Sequence, residues 1–147
     1  MITQDQLPLV ALSSMNDTHL EEMIIINKLD SAAKSNNIDE VRTSLQELIE
    51  HTAMHFFDEE DMMEEALFPA LAMHKAEHDR HQKELQSVAA YFEKHQDPSA
   101  ITAYIDGSLT PWLLHHIQTM DSVTAQFMQE GLSGGCGATK GCTTGSC

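Results

Sequence analysis

Basic side chains are scarce in this chain. Its 147 residues carry 8 Lys and Arg against 23 Asp and Glu, a formal net charge of −15. A phosphate-binding surface needs clustered Lys and Arg, so neither nucleic acid nor an anionic membrane is expected as a partner. Aromatic residues are only 5% of the chain, while Met occurs nine times, which argues for an aliphatic helical core rather than a β-sandwich. No apolar run approaches the ~18 residues that a membrane-spanning helix needs. Met1 to Leu12 lacks the basic start and apolar stretch of a secretory signal, so a cytoplasmic location is expected. Cysteine is absent until position 136, and the three that follow are Cys136, Cys142 and Cys147. None can staple the interior of the fold, and a reducing compartment would keep them as thiols.

What is present is helical patterning. The length fits one domain of ordinary size. Residues 1–15 show no clear periodicity and read as an arm lying on the domain. Asn16 or Asp17 offers an N-cap, and Leu20, Met23, Ile24, Asn27 and Leu29 mark a first helix to about Lys34. Asn37 followed by Glu40 resembles a capping box. It precedes a second helix striped by Val41, Leu45, Leu48, Ile49 and Thr52, reaching about Glu65. Pro69 is expected in the first turn of a third helix, whose inner stripe is Leu71, His74, His78, Leu85, Val88, Ala89 and Phe92. Asp97-Pro98 separates this from a fourth helical region, about Ser99 to Gln129. There Pro111 cannot donate to the carbonyl of Gly107, so a kink or short break is expected near 107–111. The pattern predicts an all-α fold, an antiparallel up-down-up-down four-helix bundle. Residues 1–131 would form the domain. Residues 132–147, rich in Gly, Ser, Thr and Cys, would form a flexible tail.

Histidine is the unusual abundance: nine His outnumber all Lys and Arg. Residues four apart share one helix face, and two such pairs stand out, His55 with Glu59 and His74 with His78. The fourth helix offers His116 and, five residues on, Asp121. The first offers His19. Five imidazoles and two carboxylates exceed the four ligands of a tetrahedral zinc and argue for two metal ions. A single His on an apolar face is usually a plain core residue. A His on every helix, in register with the apolar stripes, is a different matter, because buried unpaired carboxylates are costly and a metal pair offsets that cost. His115 adjoins His116 but points ~100° away. His51, one turn before His55, is a candidate to orient its ring. His81 and His95 read as surface residues.

These residues resemble the signatures of bacterial hemerythrins over about residues 9–130. His55-Phe56-Phe57-Asp58-Glu59-Glu60 with Met63 looks like the family's HFxxEExxM. Asp17-Thr18-His19 resembles its D-x-H, His74 to His78 its HxxxH, and Trp112 to Asp121 its WLxxHIxxxD. The arm lacks the Trp that many members carry before the first His, and Pro111 replaces a helix-compatible residue. The resemblance implies two iron ions with an oxo or hydroxo bridge. His74, His78 and His116 would hold one iron and His19 and His55 the other, with Glu59 and Asp121 bridging. The iron with fewer His would keep an open position for dioxygen. An apolar pocket is then expected, with Leu20, Met23, Ile24, Ile49, Met54 and Phe56 as candidate lining.

The leading functional expectation is a reversible dioxygen binder for storage, delivery or sensing, rather than an enzyme. Two other classes remain open. One is a di-iron redox enzyme acting on peroxide, nitric oxide or Fe(II). The other is a metal-storage or redox-sensing protein whose tail thiols, Cys136, Cys142 and Cys147, meet a protein partner. Their Cys-x5-Cys-x4-Cys spacing is not a zinc or thioredoxin pattern.

Overall fold

The computed structural model describes residues 1–131, which form an antiparallel four-helix bundle without a strand among the described residues. The predicted tail, with Cys136, Cys142 and Cys147, lies outside them. Helix α1 spans Ser13–Lys34, α2 Ile38–Glu65 and α3 Leu71–His95. The fourth rod is composite. It begins with α4, Pro98–Tyr104, passes through a π-helical turn, Ile105–Leu109, and continues as α5, Thr110–His116. A second π-helical turn, Ile117–Asp121, leads into helical residues 122–131. Helix α1 packs on α2 and on α4, α2 packs on α3, and α3 meets α4, which closes the bundle. No helix of the described residues is long and apolar enough to cross a membrane.

The helix boundaries follow local chemistry. The Asn37 carboxamide accepts a hydrogen bond from the Glu40 amide, as the capping pattern predicts. Asp97 caps α4 through the Ser99 amide, with Pro98 at the first helical position, where no N–H is missed. Helix α1 starts earlier than expected. Asn16 is not its cap; its carboxamide instead brackets the backbone N–H and C=O of Val10, tying the arm to the helix. The arm is fixed again where Asn27 makes two hydrogen bonds to the backbone of Ile2. Pro69 lies in the turn before α3, not inside its first turn, because the helix begins at Leu71. The kink or short break expected near 107–111 takes the form of a π-helical turn, Ile105–Leu109, rather than a gap in the rod. The π-helical turn accommodates the missing Pro111 donor while the rod continues.

Two apolar clusters fill the bundle. The larger includes Ile26, Leu29, Val41, Leu45, Leu48, Leu85, Phe92, Ile101 and Leu109. The smaller is Met63, Phe68 and Met128. Along α2, Leu48 belongs to the first cluster and Met63 to the second. Along α3, Phe92 and Leu85 belong to the first, and Leu71 packs against the second. The residues between them are the polar ones that the sequence singles out.

Candidate metal centre

Each helix delivers its share of a buried polar layer. Helix α1 supplies His19, α2 His55 and Glu59, α3 His74 and His78, and the fourth rod His116 and Asp121; all seven are buried. Donor atoms of Glu59, His74, His78, His116 and Asp121 lie within 4.8 Å of one another. Those of His19, His55, Glu59 and Asp121 do the same. Glu59 and Asp121 belong to both groups. All seven residues predicted from sequence are therefore brought together, as five donors and four donors sharing two carboxylates.

The fourth helix needs a device to achieve this. On a regular α-helix, residues five apart diverge by about 140°, so His116 and Asp121 would not face the same space. The π-helical turn Ile117–Asp121 widens the helix between them. As a result His116 Nε2 stands 3.1 Å from Asp121 Oδ1. Such turns are rare and concentrate at functional sites.

The donor atoms converge on shared points rather than pairing off one to one. His19 Nε2 is 2.9 Å from Asp121 Oδ2, and His55 Nε2 is 3.0 Å from Glu59 Oε2. His74 Nε2 is 3.3 Å from His116 Nε2, so two ring nitrogens face each other. Glu59 Oε1 lies 2.9 Å from His74 Nε2 and 3.3 Å from His78 Nε2. Neither approach has hydrogen-bond geometry, and Glu59 Oε1 and His78 Nε2 are left without partners. Buried polar atoms are normally satisfied. A focus of lone pairs with such orphans fits cations held among them.

A second set of side chains fixes the imidazoles from behind. His55 Nδ1 is 2.9 Å from Glu22 Oε2, His74 Nδ1 2.8 Å from Thr124 Oγ1, and His78 Nδ1 2.9 Å from Glu60 Oε2. With Nδ1 as donor, Nε2 keeps the lone pair that faces the layer. Trp112 stacks on His116 at 4.6 Å and donates its indole N–H to Glu77. Sequence reasoning missed Glu22, Glu60 and Thr124. Glu22 was legible as the residue three after His19, hence on the same face.

Other expectations need correction. His51 does not orient His55; it lies 3.3 Å from Glu21 and contacts the His55 ring edge-on, and Glu22 takes the role instead. His81 is not a surface residue but is 1% exposed, whereas His95 and His115 are exposed. Among the candidate lining residues, Phe56 and Met23 are buried and Leu20 and Ile49 half-buried. Ile24 and Met54 are exposed, at 57% and 62%, because each turns away from its neighbouring His stripe. An apolar lining is also incomplete as a description, since the buried Glu22 adjoins His55.

The electrostatics are those of a site built for positive charge. Burial and the neighbouring Asp121 push Glu59 upward, but the imidazoles of His55, His74 and His78 outweigh them and hold it at about 2. Burial opposes ionisation of Asp121 too, yet His116, His19 and His74 keep it well below the carboxylate range. Burial lowers His74, and Asp121 and Glu59 raise it to about 9. His55 is likewise raised by Glu22 and Glu59 against the effect of its burial. Protons on these rings neutralise the carboxylates when no metal does so. A cleft of about 240 Å³, lined by Met15, Thr18, Asp58 and Met62, reaches His55 and Glu59 from between α1 and α2.

Comparisons with known proteins agree with this geometry. The family model described as the hemerythrin HHE cation binding domain matches residues 10–127. The bacteriohemerythrin of Aquifex aeolicus is 32% identical over 112 residues, 76% of this chain and 86% of that protein. The bacteriohemerythrin of Methylococcus capsulatus is 31% identical, over 74% of this chain and 81% of its own length. The myohemerythrin of Sipunculus nudus is 36% identical over 77 residues, 52% of this chain and 57% of that protein. A crystal structure of wild-type hemerythrin superposes with a TM-score of 0.74 at 24% identity, covering 87% of this chain and 96% of the other. That likeness concerns the fold.

Proposed function

We propose that this chain, which belongs to the hemerythrin HHE cation-binding family, holds two iron ions between its helices and binds dioxygen reversibly at them. His74, His78 and His116 would hold one ion and His19 and His55 the other, with Glu59 and Asp121 shared. The observation that carries the reading is the inequality of the two donor groups: five protein donors on one side, four on the other, with both carboxylates in common. The poorer side is where a small ligand finds an open position, the general mark of a reactive rather than structural metal site. The cleft beside His55 and Glu59 offers a route to that side.

Iron supplies two adjacent centres able to give electrons to dioxygen and take them back. The chain's own residues bind and orient. Glu22, Thr124 and Glu60 hold His55, His74 and His78 by their Nδ1 atoms, so that each ring presents Nε2 inward. Phe56 lies against His78 at 3.8 Å, and Trp112 covers His116, which excludes water from that face. Met63 and Phe68 close the opposite end of the layer.

One observation favours a second reading, redox turnover. Glu22 and His81 are buried polar side chains close to the layer, and groups able to relay protons to such a centre would promote irreversible reduction of dioxygen. The visible spectrum of the iron-loaded, reduced protein distinguishes the two. A charge-transfer band that appears with dioxygen and vanishes on its removal is the expected result. A band that forms once and cannot be reversed would put the enzyme reading first. Absence of any band in protein with bound iron would end the dioxygen claim.

A further inference from the structure

Three histidines of α3 share one buried face: His74, His78 and, a turn further on, His81. The first two belong to the donor groups of the metal centre; His81 belongs to neither. Its ring is 1% exposed, and neither ring nitrogen has a hydrogen-bond partner. A buried donor left unsatisfied is costly, and a leucine at this position would avoid that cost.

The surroundings tie His81 to the metal layer. Its ring stacks on Trp112 at 3.7 Å with the planes 5° apart, and Trp112 stacks in turn on His116. Phe56 lies 6.0 Å from His81 and stacks on His78. The two aromatic rings that hold His81 therefore also hold His78 and His116 of the five-donor group and, through Phe56 at 5.2 Å, His55 of the four-donor group, where the open position would lie. The ionisable groups whose fields reach it are Glu22 of α1, His116 of the fourth rod, and Arg80 and Glu77 of its own helix. From α1, Glu22 is bonded to His55 and Thr52. Burial lowers the His81 imidazole to about 4. At neutral pH it is uncharged, with one N–H to donate and one lone pair to offer.

We propose that His81 is a positioning residue that hydrogen-bonds the small exogenous ligand of the metal centre. Resting on the di-iron reading above, this explains why a polar ring with no protein partner occupies an otherwise apolar place between Phe56 and Trp112. It also gives the site a preference for ligands that accept a hydrogen bond, small anions and reduced oxygen species, over purely apolar diatomics.

Azide, a small anion that accepts hydrogen bonds, is the probe. Iron-loaded, oxidised full-length protein is titrated with azide and followed by its charge-transfer band, alongside His81→Leu and His81→Gln. We expect His81→Leu to weaken azide about tenfold or more, the scale of one hydrogen bond to a charged group, and to shift the band. His81→Gln, which keeps a donor, should recover most of both. A merely structural role would not be rescued by Gln in band position. If the Leu variant does not fold, His81→Met supplies a more adaptable apolar replacement for the same comparison. Azide affinity within twofold of wild type, with full iron content and an unchanged band, would overturn the proposal and leave the di-iron reading intact. Absence of an azide band in wild-type protein as well would overturn both.

Discussion

Two regions of this bundle, its main apolar cluster and its polar layer, are stabilised by opposite means. Around Phe92, Leu48 and Ile101 the four rods meet through apolar surface, and removal of that surface from water is enough to hold them together. A few turns away, the same rods meet through five imidazoles and three carboxylates, Glu22 among them, all buried. Those groups must be neutralised by one another, by protons or by a metal, because burial alone disfavours each charge. The apolar cluster tolerates a missing partner as a cavity. The polar layer converts a missing partner into an unpaired charge. The contrast teaches that the bundle's scaffold and its chemistry are separable in space although they share every helix.

The largest effect that tests this separation is in the apolar cluster. Phe92 is 1% exposed in the main cluster, and Phe92→Ala should cost about 3–5 kcal/mol. Chemical denaturation with and without iron should give the same loss, since Phe92 lies 14 residues, roughly 21 Å, along α3 from His78. A loss of iron affinity in this variant would break the comparison.

A smaller effect is expected from the polar layer. Glu22→Ala removes the partner of His55 Nδ1 and should weaken metal binding about 10–100-fold. Iron retention against a graded chelator measures it. Combined with Phe92→Ala, the stability effects should add to within about 0.5 kcal/mol, as for distant sites. Unchanged iron retention would show that Glu22 does not orient His55.

A third test is a pH dependence, read in the metal-free protein. His74 is raised from 6.5 to about 9, so its contribution is complete below pH 6.5 and disappears as pH rises through 9. His81 is lowered from 6.5 to about 4, so stability falls as pH drops through that interval, where the unfolded chain binds the proton first. Glu22 and Glu59, each lowered from 4.5 to about 2, add a further loss as pH falls from 4.5 to 2. Urea midpoints of metal-free protein should therefore peak near neutrality and decline on both sides. A midpoint that keeps rising from pH 6.5 to 9 would contradict the account of His74.

Much of this was legible in the residue order. The helices α2 and α3 emerge from apolar spacing, and the Asn37 cap follows from side-chain chemistry. The pairs His55/Glu59 and His74/His78 need only helical geometry to share a face. Other features were not legible. His81 reads as a surface residue among charged neighbours, Asp79, Arg80 and Lys83, because a sequence does not reveal which α3 positions Trp112 covers. Glu22 sits beside the exposed Glu21 in an acidic chain, and only the packing of α1 on α2 separates the buried carboxylate from the exposed one.

The sequence by itself determined the helical class, the order of the rods and the seven candidate donors, because side-chain type and a period of 3.6 are properties of the chain alone. Tertiary structure decided the rest. Whether Pro111 breaks the rod, whether His116 and Asp121 face the same space, and which groups stand behind each imidazole depend on contacts between helices. The two π-helical turns illustrate the physical reason. A local change of helical pitch has no fixed residue code, and it persists here where a proline must be accommodated and where a carboxylate must reach the donors of three other helices.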